Sequence, residues 1–202
     1  IFLNKKKLNI LSPNSIKKNF KKFKPDCVLH LASLSRPMSI HDREINKSID
    51  LNIVGTANIV KACNNEKIKI IFFSTSYVYP GKKGNYSEDD ALLPWNNYGW
   101  SKLGAESCVQ MYKNSLIIRA CMTEKPFVHK SAFSNVYSNF IFHDHFAKIF
   151  LKIIEKKGII NIGGKTQTIY QFAKKYNNKI NKIKSKGELP LKMDMNLKKI
   201  KK

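Results

Sequence analysis

The 202-residue sequence predicts an α/β fold built on a parallel sheet. Short all-apolar runs recur along the chain, amphipathic helical segments alternate with them, and Pro or Gly punctuates the joints. Strands covered by helices on both faces read as continuous apolar runs, which is the pattern here.

Taken in order, Ser12-Pro13 supplies a cap and a proline suited to a first helical turn. Ile16, Phe20 and Phe23 follow at helical spacing, and Pro25 closes the segment. Cys27-Val28-Leu29-His30-Leu31-Ala32 reads as a buried strand. Ile49, Ile53, Ala57 and Val60 predict one face of a helix ending near Asn64-Asn65. Residues 69–73 form a second apolar strand, which runs into Ser74-Thr75-Ser76. A loop from Pro80 to Asn97 precedes a helix opening at Tyr98, and Leu116-Ile117-Ile118 is a third strand. Asp144 is placed as the cap of a helix carrying Phe146, Ile149, Phe150, Ile153 and Ile154, ended by Gly158. Ile159 to Ile162 makes a further strand, and the Lys-rich residues 179–202 read as solvated surface or a frayed end.

Composition narrows the function. The net charge of +23 suggests nucleic acid, yet only Arg36, Arg43 and Arg119 among the 37 basic residues are arginine. Arginine is the side chain that forks onto phosphates and guanine edges, and the lysines are spread through every segment. No specific nucleic-acid partner is expected. No window reaches the roughly 18 apolar residues of a membrane span, so no membrane partner is expected either. The first residues lack a signal-peptide pattern, and residue 1 is Ile. Cys27, Cys63, Cys108 and Cys121 are scattered, which reads as buried thiols in a reducing, cytoplasmic setting. His143 and His145 stand two apart and diverge on a helix, so no metal site is expected.

Open parallel sheets bind ligands beyond the carboxyl ends of their strands. Tyr98 and Lys102 open the helix after one such end and share a helical face. A phenol titrates near 10, too high for ready proton exchange at neutral pH, and a neighbouring ammonium favours its ionised form. The same spacing occurs at Tyr79/Lys83 and Tyr170/Lys174, so on the residues alone the catalytic and packing readings both stand. Trp95 and Trp100 flank the segment and fit either a sugar site or packing.

An ordered set of segments resembles the extended short-chain dehydrogenase/reductases, in the branch of 4-dehydrorhamnose reductases and nucleotide-sugar epimerases. It comprises Lys24-Pro25-Asp26 with His30-Leu31-Ala32, Leu51-Asn52-Ile53-Val54-Gly55-Thr56, Ser74-Thr75-Ser76-Tyr77-Val78-Tyr79 and Asn97-Tyr98-Gly99-Trp100-Ser101-Lys102 with Glu106. Phe140-Ile141-Phe142-His143-Asp144 and Asn161-Ile162-Gly163-Gly164 complete it. The resemblance implies a Rossmann-like, doubly wound parallel sheet in residues 1–164, with residues 165–202 as a reduced C-terminal substrate-binding part. It implies an NAD(P)-dependent reductase or epimerase acting on a keto group of a nucleotide-activated sugar, with NAD or NADP as cofactor and a homodimeric assembly. It makes Thr75, Tyr98 and Lys102 catalytic: Thr75 binds the keto oxygen, Tyr98 exchanges its proton, and Lys102 lowers the Tyr98 pKa and contacts the nicotinamide ribose. Leu31, Ala32, Ser33 and Asn52, with Tyr98 and Lys102, are the expected cofactor-binding residues. The alternative is a non-catalytic nucleotide-binding or sensor relative.

The chain departs from the family pattern in several places. The first strand and the Gly-x-x-Gly-x-x-Gly turn that hold a dinucleotide pyrophosphate are missing, so the expectation is a fragment that binds NAD(P) poorly. Asn9 replaces an Asp, Ser76 replaces the Asp after the active-site Thr, and the stretch from Cys121 to Asn139 is short.

Overall fold

A computed structural model describes residues 1–201; Lys202, the last residue of the Lys-rich end, lies outside the described residues. The chain divides into two compact units, one of residues 1–74 and 96–117, the other of residues 75–95 and 118–202. Among the described residues, no helix is long and apolar enough to cross a membrane.

In the first unit, α1 (Pro13–Phe23) starts where the Ser12 hydroxyl accepts from the Ser15 N–H and Pro13 presets the first turn. It buries Ile16 and Phe20, and Lys24 closes it in the left-handed conformation just before Pro25. β1 (Cys27–His30) follows and pairs in parallel with β2 (Lys69–Thr75), Cys27 opposite Lys69 and His30 opposite Phe72. Between them run α2 (Ile40–Arg43), α3 (Ile45–Ser48), a π-helical segment (Ile49–Val54) and α4 (Gly55–Asn65). α5 (Asn97–Gln110) is capped by the Asn96 side chain, which accepts from the Gly99 N–H.

The helical stripe predicted through Ile49, Ile53, Ala57 and Val60 is rotated in the structure. Ile49 and Val54 are exposed, and the buried positions are Ser48, Asn52, Gly55, Thr56, Ile59, Val60 and Cys63. The π-helical turn widens the helix locally, so a strict 3.6-residue count drifts off the buried face. Polar contacts fix the new face: both polar ends of the Asn52 amide are bonded inside the unit.

β3 (Ser115–Ala120) is buried along its whole length, and β1, β2, β3 and β8 (Gly158–Ile162) form a four-stranded parallel sheet in that order. β1 is an edge strand of this sheet, and its Leu29 is exposed. In the second unit, short pairs surround an apolar core: β4 (Met122–Thr123) with β7 (Ile141–Phe142), and β6 (Tyr137–Ser138) with β9 (Gln167–Thr168). β5 (Ser131–Phe133) pairs with β10 (Asn181–Ile183). Phe127, Val136, Phe142, Ile169, Phe172 and Met193 form the centre of that core. α6 (His143–Ile153) and α7 (Ile169–Lys174) complete the unit; α7 starts with a reciprocal capping box between Thr168 and Gln171.

Two further expectations are corrected here. Asp144 does not cap α6: Phe142 holds the cap position, and the Asp144 carboxylate accepts from the His145 N–H within the first turn. Gly158 does not end α6 but opens β8 at a φ of 84°, after the helix has already stopped at Ile153. The Lys-rich end is not frayed as far as it is described. Its lysines from Lys179 to Lys199 are exposed, while Met193 and Met195 are buried two apart and the backbone bonds to Tyr86 and Tyr137. Met193 and Met195 stand two apart in extended chain, so both side chains turn to the same, inward side.

Candidate active site

α5 carries Tyr98, Lys102 and Glu106 at successive four-residue steps, one face of a helix. Lys102 is only 3% exposed, and its ammonium lies 4.2 Å from the centre of the Phe72 ring on β2. Burial pulls the Lys102 pKa down to about 7, against the opposing pull of the Glu106 carboxylate one turn further on. Glu106 is fully buried and accepts a hydrogen bond from the Ser74 hydroxyl near the end of β2.

His30, the last residue of β1, faces the same cluster. Its pKa falls to about 3, first because it is buried and second because Lys102 repels its charged form. Its Nε2 lies 2.9 Å from the Thr56 hydroxyl, which donates its single proton to the Asn52 carbonyl at 2.6 Å. Nε2 of His30 must therefore carry a proton, and the ring is neutral at physiological pH.

Leu31, Ala32 and Ser33 run exposed beyond the carboxyl end of β1. Asn52 organises the segment after them. Its Oδ1 accepts from the Leu34 N–H at 2.6 Å, and its Nδ2 donates to the Leu34 carbonyl at 2.9 Å and to the Ser101 hydroxyl at 2.8 Å. With both amide protons committed and 1% of its surface exposed, Asn52 is a clamp on the loop rather than an open hydrogen-bonding group.

Thr75 ends β2 and begins the second unit. It is buried, and its hydroxyl accepts from the Tyr77 N–H at 3.3 Å. Ser76 behind it is buried, and Tyr77 packs against Trp95 at 5.1 Å between ring centres. Trp95 thus joins the apolar core of its unit, whereas Trp100 is exposed on α5.

The competing Tyr-x-x-x-Lys copies separate by environment. Tyr79 is buried in a polar network, with its hydroxyl 2.9 Å from Ser87 O, Asn161 Oδ1 and Arg119 Nη1. Tyr170 lies on α7, but Lys174 points out and bonds the Asn178 carbonyl. Among the described residues, Lys102 is the one lysine that is buried. Sequence reasoning passed over His41, whose ring packs 5.1 Å from that of Tyr98, and Thr56, which sets the His30 tautomer. No motif marks His41, and Thr56 stands at the end of the Leu51–Thr56 segment with no role of its own in the sequence; both gain their place through folding. Among the described residues, no group of three or more His, Cys, Asp or Glu side chains could hold a metal ion.

The residues present fit the nicotinamide-ribose half of a dinucleotide: an open backbone at the β1 end, held by Asn52, and a buried ammonium on α5. They offer no glycine turn for a pyrophosphate, since the first glycine in the chain is Gly55.

A family model described as the RmlD substrate-binding domain matches residues 1–129. Methionine adenosyltransferase 2 subunit beta of Danio rerio is 32% identical over 100 residues, which is 50% of this chain and 30% of that protein. dTDP-D-glucose 4,6-dehydratase of Dictyostelium discoideum is 29% identical over 196 residues, 90% of this chain and 43% of that protein. The chain thus spans less than half the length of these two relatives. The crystal structure of dTDP-4-dehydrorhamnose reductase from Bacillus anthracis, in complex with NADP, superposes with a TM-score of 0.86. It is 19% identical and covers 96% of this chain and 79% of its own, so it shows the shared fold. The family match covers more than half of the chain, and the chain belongs to the RmlD substrate-binding-domain family.

Proposed function

We propose that the protein is an NAD(P)-dependent reductase or epimerase acting on a keto group of a nucleotide-activated sugar. The observation that carries this reading is the buried Lys102 ammonium one helical turn from Tyr98, on the helix that follows the β2 strand end. NAD or NADP, when bound, supplies or removes the hydride at the sugar carbon. Tyr98 gives a proton to the keto oxygen, or takes it back in the reverse direction. The Lys102 ammonium stabilises the ionised phenol and reaches a ribose hydroxyl. The Thr75 hydroxyl accepts from Tyr77, and among the described residues no acceptor takes its own proton, which leaves that proton for the same keto oxygen. Leu31, Ala32 and Ser33 line the cofactor path by their backbone, and Asn52 holds that path in shape.

Reduction or epimerisation fits better than 4,6-dehydration. Elimination of water needs an acid–base pair after the active-site Thr, and Ser76 and Tyr77 do not exchange protons readily near neutral pH. A homodimer in the cytoplasm belongs to the same proposal, the latter on the scattered spacing of the four cysteines. A second reading, a nucleotide-binding subunit without turnover, draws on the similarity to methionine adenosyltransferase 2 subunit beta.

The test is to incubate the full-length protein with dTDP-4-dehydrorhamnose and NADPH or NADH and follow loss of the reduced cofactor. Turnover that disappears in Tyr98→Phe is the expected result. Cofactor binding without turnover on this or other keto-sugar nucleotides would favour the subunit reading.

A further inference from the structure

His41 is 1% exposed, yet among the described residues its Nε2 has no hydrogen-bond partner. A buried polar atom left unpaired costs on the order of 1–3 kcal/mol and calls for an explanation. The other ring nitrogen, Nδ1, lies 2.7 Å from the Ser48 hydroxyl. The ring itself packs against Tyr98, 5.1 Å between centres and tilted by 56°. The next residue, Asp42, accepts from the Asn97 side chain at 2.9 Å, which ties α2 to the first turn of α5. Two neighbouring residues of α2 therefore grip the start of the helix that carries Tyr98. Burial lowers the His41 pKa, opposed by Asp42, so the ring is neutral at physiological pH.

We propose that His41 is a positioning residue for Tyr98: Ser48 donates to Nδ1, and the Nε2–H that remains lies against the Tyr98 ring and fixes its orientation. In this tautomer the orphaned nitrogen has a partner after all, the π face of the phenol ring, a weak acceptor for N–H. A phenol that must meet a carbonyl within hydrogen-bond reach gains from a ring that cannot swing. The inference rests on Tyr98 being the proton donor of the proposed function.

The test has a structural and a kinetic arm, both in the full-length protein. Nitrogen-15 NMR of the imidazoles, with His41 assigned by its loss in His41→Gln, reads the tautomer directly. An Nε2–H form whose proton is shifted by the Tyr98 ring current, and returns to an ordinary position in Tyr98→Leu, is expected. An Nδ1–H form overturns the proposal without reference to activity. In the kinetic arm, His41→Phe keeps a ring but removes the N–H, and His41→Gln keeps an N–H near the Nε2 position. With dTDP-4-dehydrorhamnose and NADPH, His41→Phe is expected to lower kcat by about three- to tenfold at unchanged cofactor KM, and His41→Gln to restore most of it. Wild-type kcat in His41→Phe, with Tyr98→Phe inactive, overturns this inference alone. Persisting activity in Tyr98→Phe overturns the proposed function instead.

Discussion

The Ser74 hydroxyl donates to the Glu106 carboxylate, joining the end of β2 to the helix that carries Tyr98 and Lys102. The bond links the strand residue before Thr75 to a carboxylate one turn beyond the buried ammonium. Glu106→Leu strands the Ser74 hydroxyl and removes the negative charge that holds Lys102 in its ionised form. We expect a loss of about 2–4 kcal/mol in chemical denaturation. Glu106→Gln, which keeps a hydrogen-bond acceptor, should lose less.

Tyr98→Phe should lower turnover by about 10²–10⁴-fold while leaving cofactor affinity largely intact, as steady-state kinetics and cofactor titration would show. Lys102→Met should damage both, because one ammonium serves two partners. The matched control is Tyr170→Phe. Tyr79→Phe is unsuitable, since its buried hydroxyl contacts Arg119 and Asn161 and its loss should cost about 1–3 kcal/mol of stability.

Lys102 and His30 make stability depend on pH in a predictable direction. The folded Lys102 pKa of about 7 lies below its ordinary 10.5, so between those values the unfolded chain holds a proton that the folded one lacks. Stability therefore gains a rising contribution from pH 7 to 10.5, and Lys102→Met should flatten that part of the curve. His30, with a folded pKa of about 3 against 6.5, adds a loss of stability as pH falls from 6.5 towards 3. His30→Gln should remove it. Urea denaturation of each variant across pH, compared with wild type, cancels the effect of the remaining lysines and checks both signs.

Asn52→Leu should release the Leu34 backbone. Three hydrogen bonds vanish in a buried setting, and a loss of about 2–3 kcal/mol follows. Hydrogen exchange offers the specific reading: the Leu34 amide should lose its protection, while amides of β2 keep theirs.

The 202-residue chain should show little thermal shift with NADH or NADPH. Its residues offer the β1 end and Lys102 but no glycine turn for the pyrophosphate. A tight site at a thousandfold excess over Kd would give about 4 kcal/mol of stabilisation, which differential scanning fluorimetry would detect easily. A shift of that size would point to the Ser33–Arg36 loop or Asn9 as a substitute phosphate site.

By itself the sequence determined the α/β class, the four sheet strands and the positions of Tyr98 and Lys102 on a helix. Each of these rests on local patterning: apolar runs for β1, β2, β3 and β8, and the four-residue spacing of Tyr98 and Lys102 after a loop for α5. Only the tertiary structure decided the rest, because burial and partnership join residues far apart in the chain. The π-helical turn moved the buried face from Ile49 to Asn52, since Asn52 found its partners at Leu34 and Ser101. Met193 and Met195 turned inward from a lysine-rich end because Tyr86 and Tyr137 offered their backbones. Lys102, one lysine among many in the sequence, became the buried ammonium beside Phe72 because α5 packs that face away from water, where desolvation and the Glu106 charge compete over its proton.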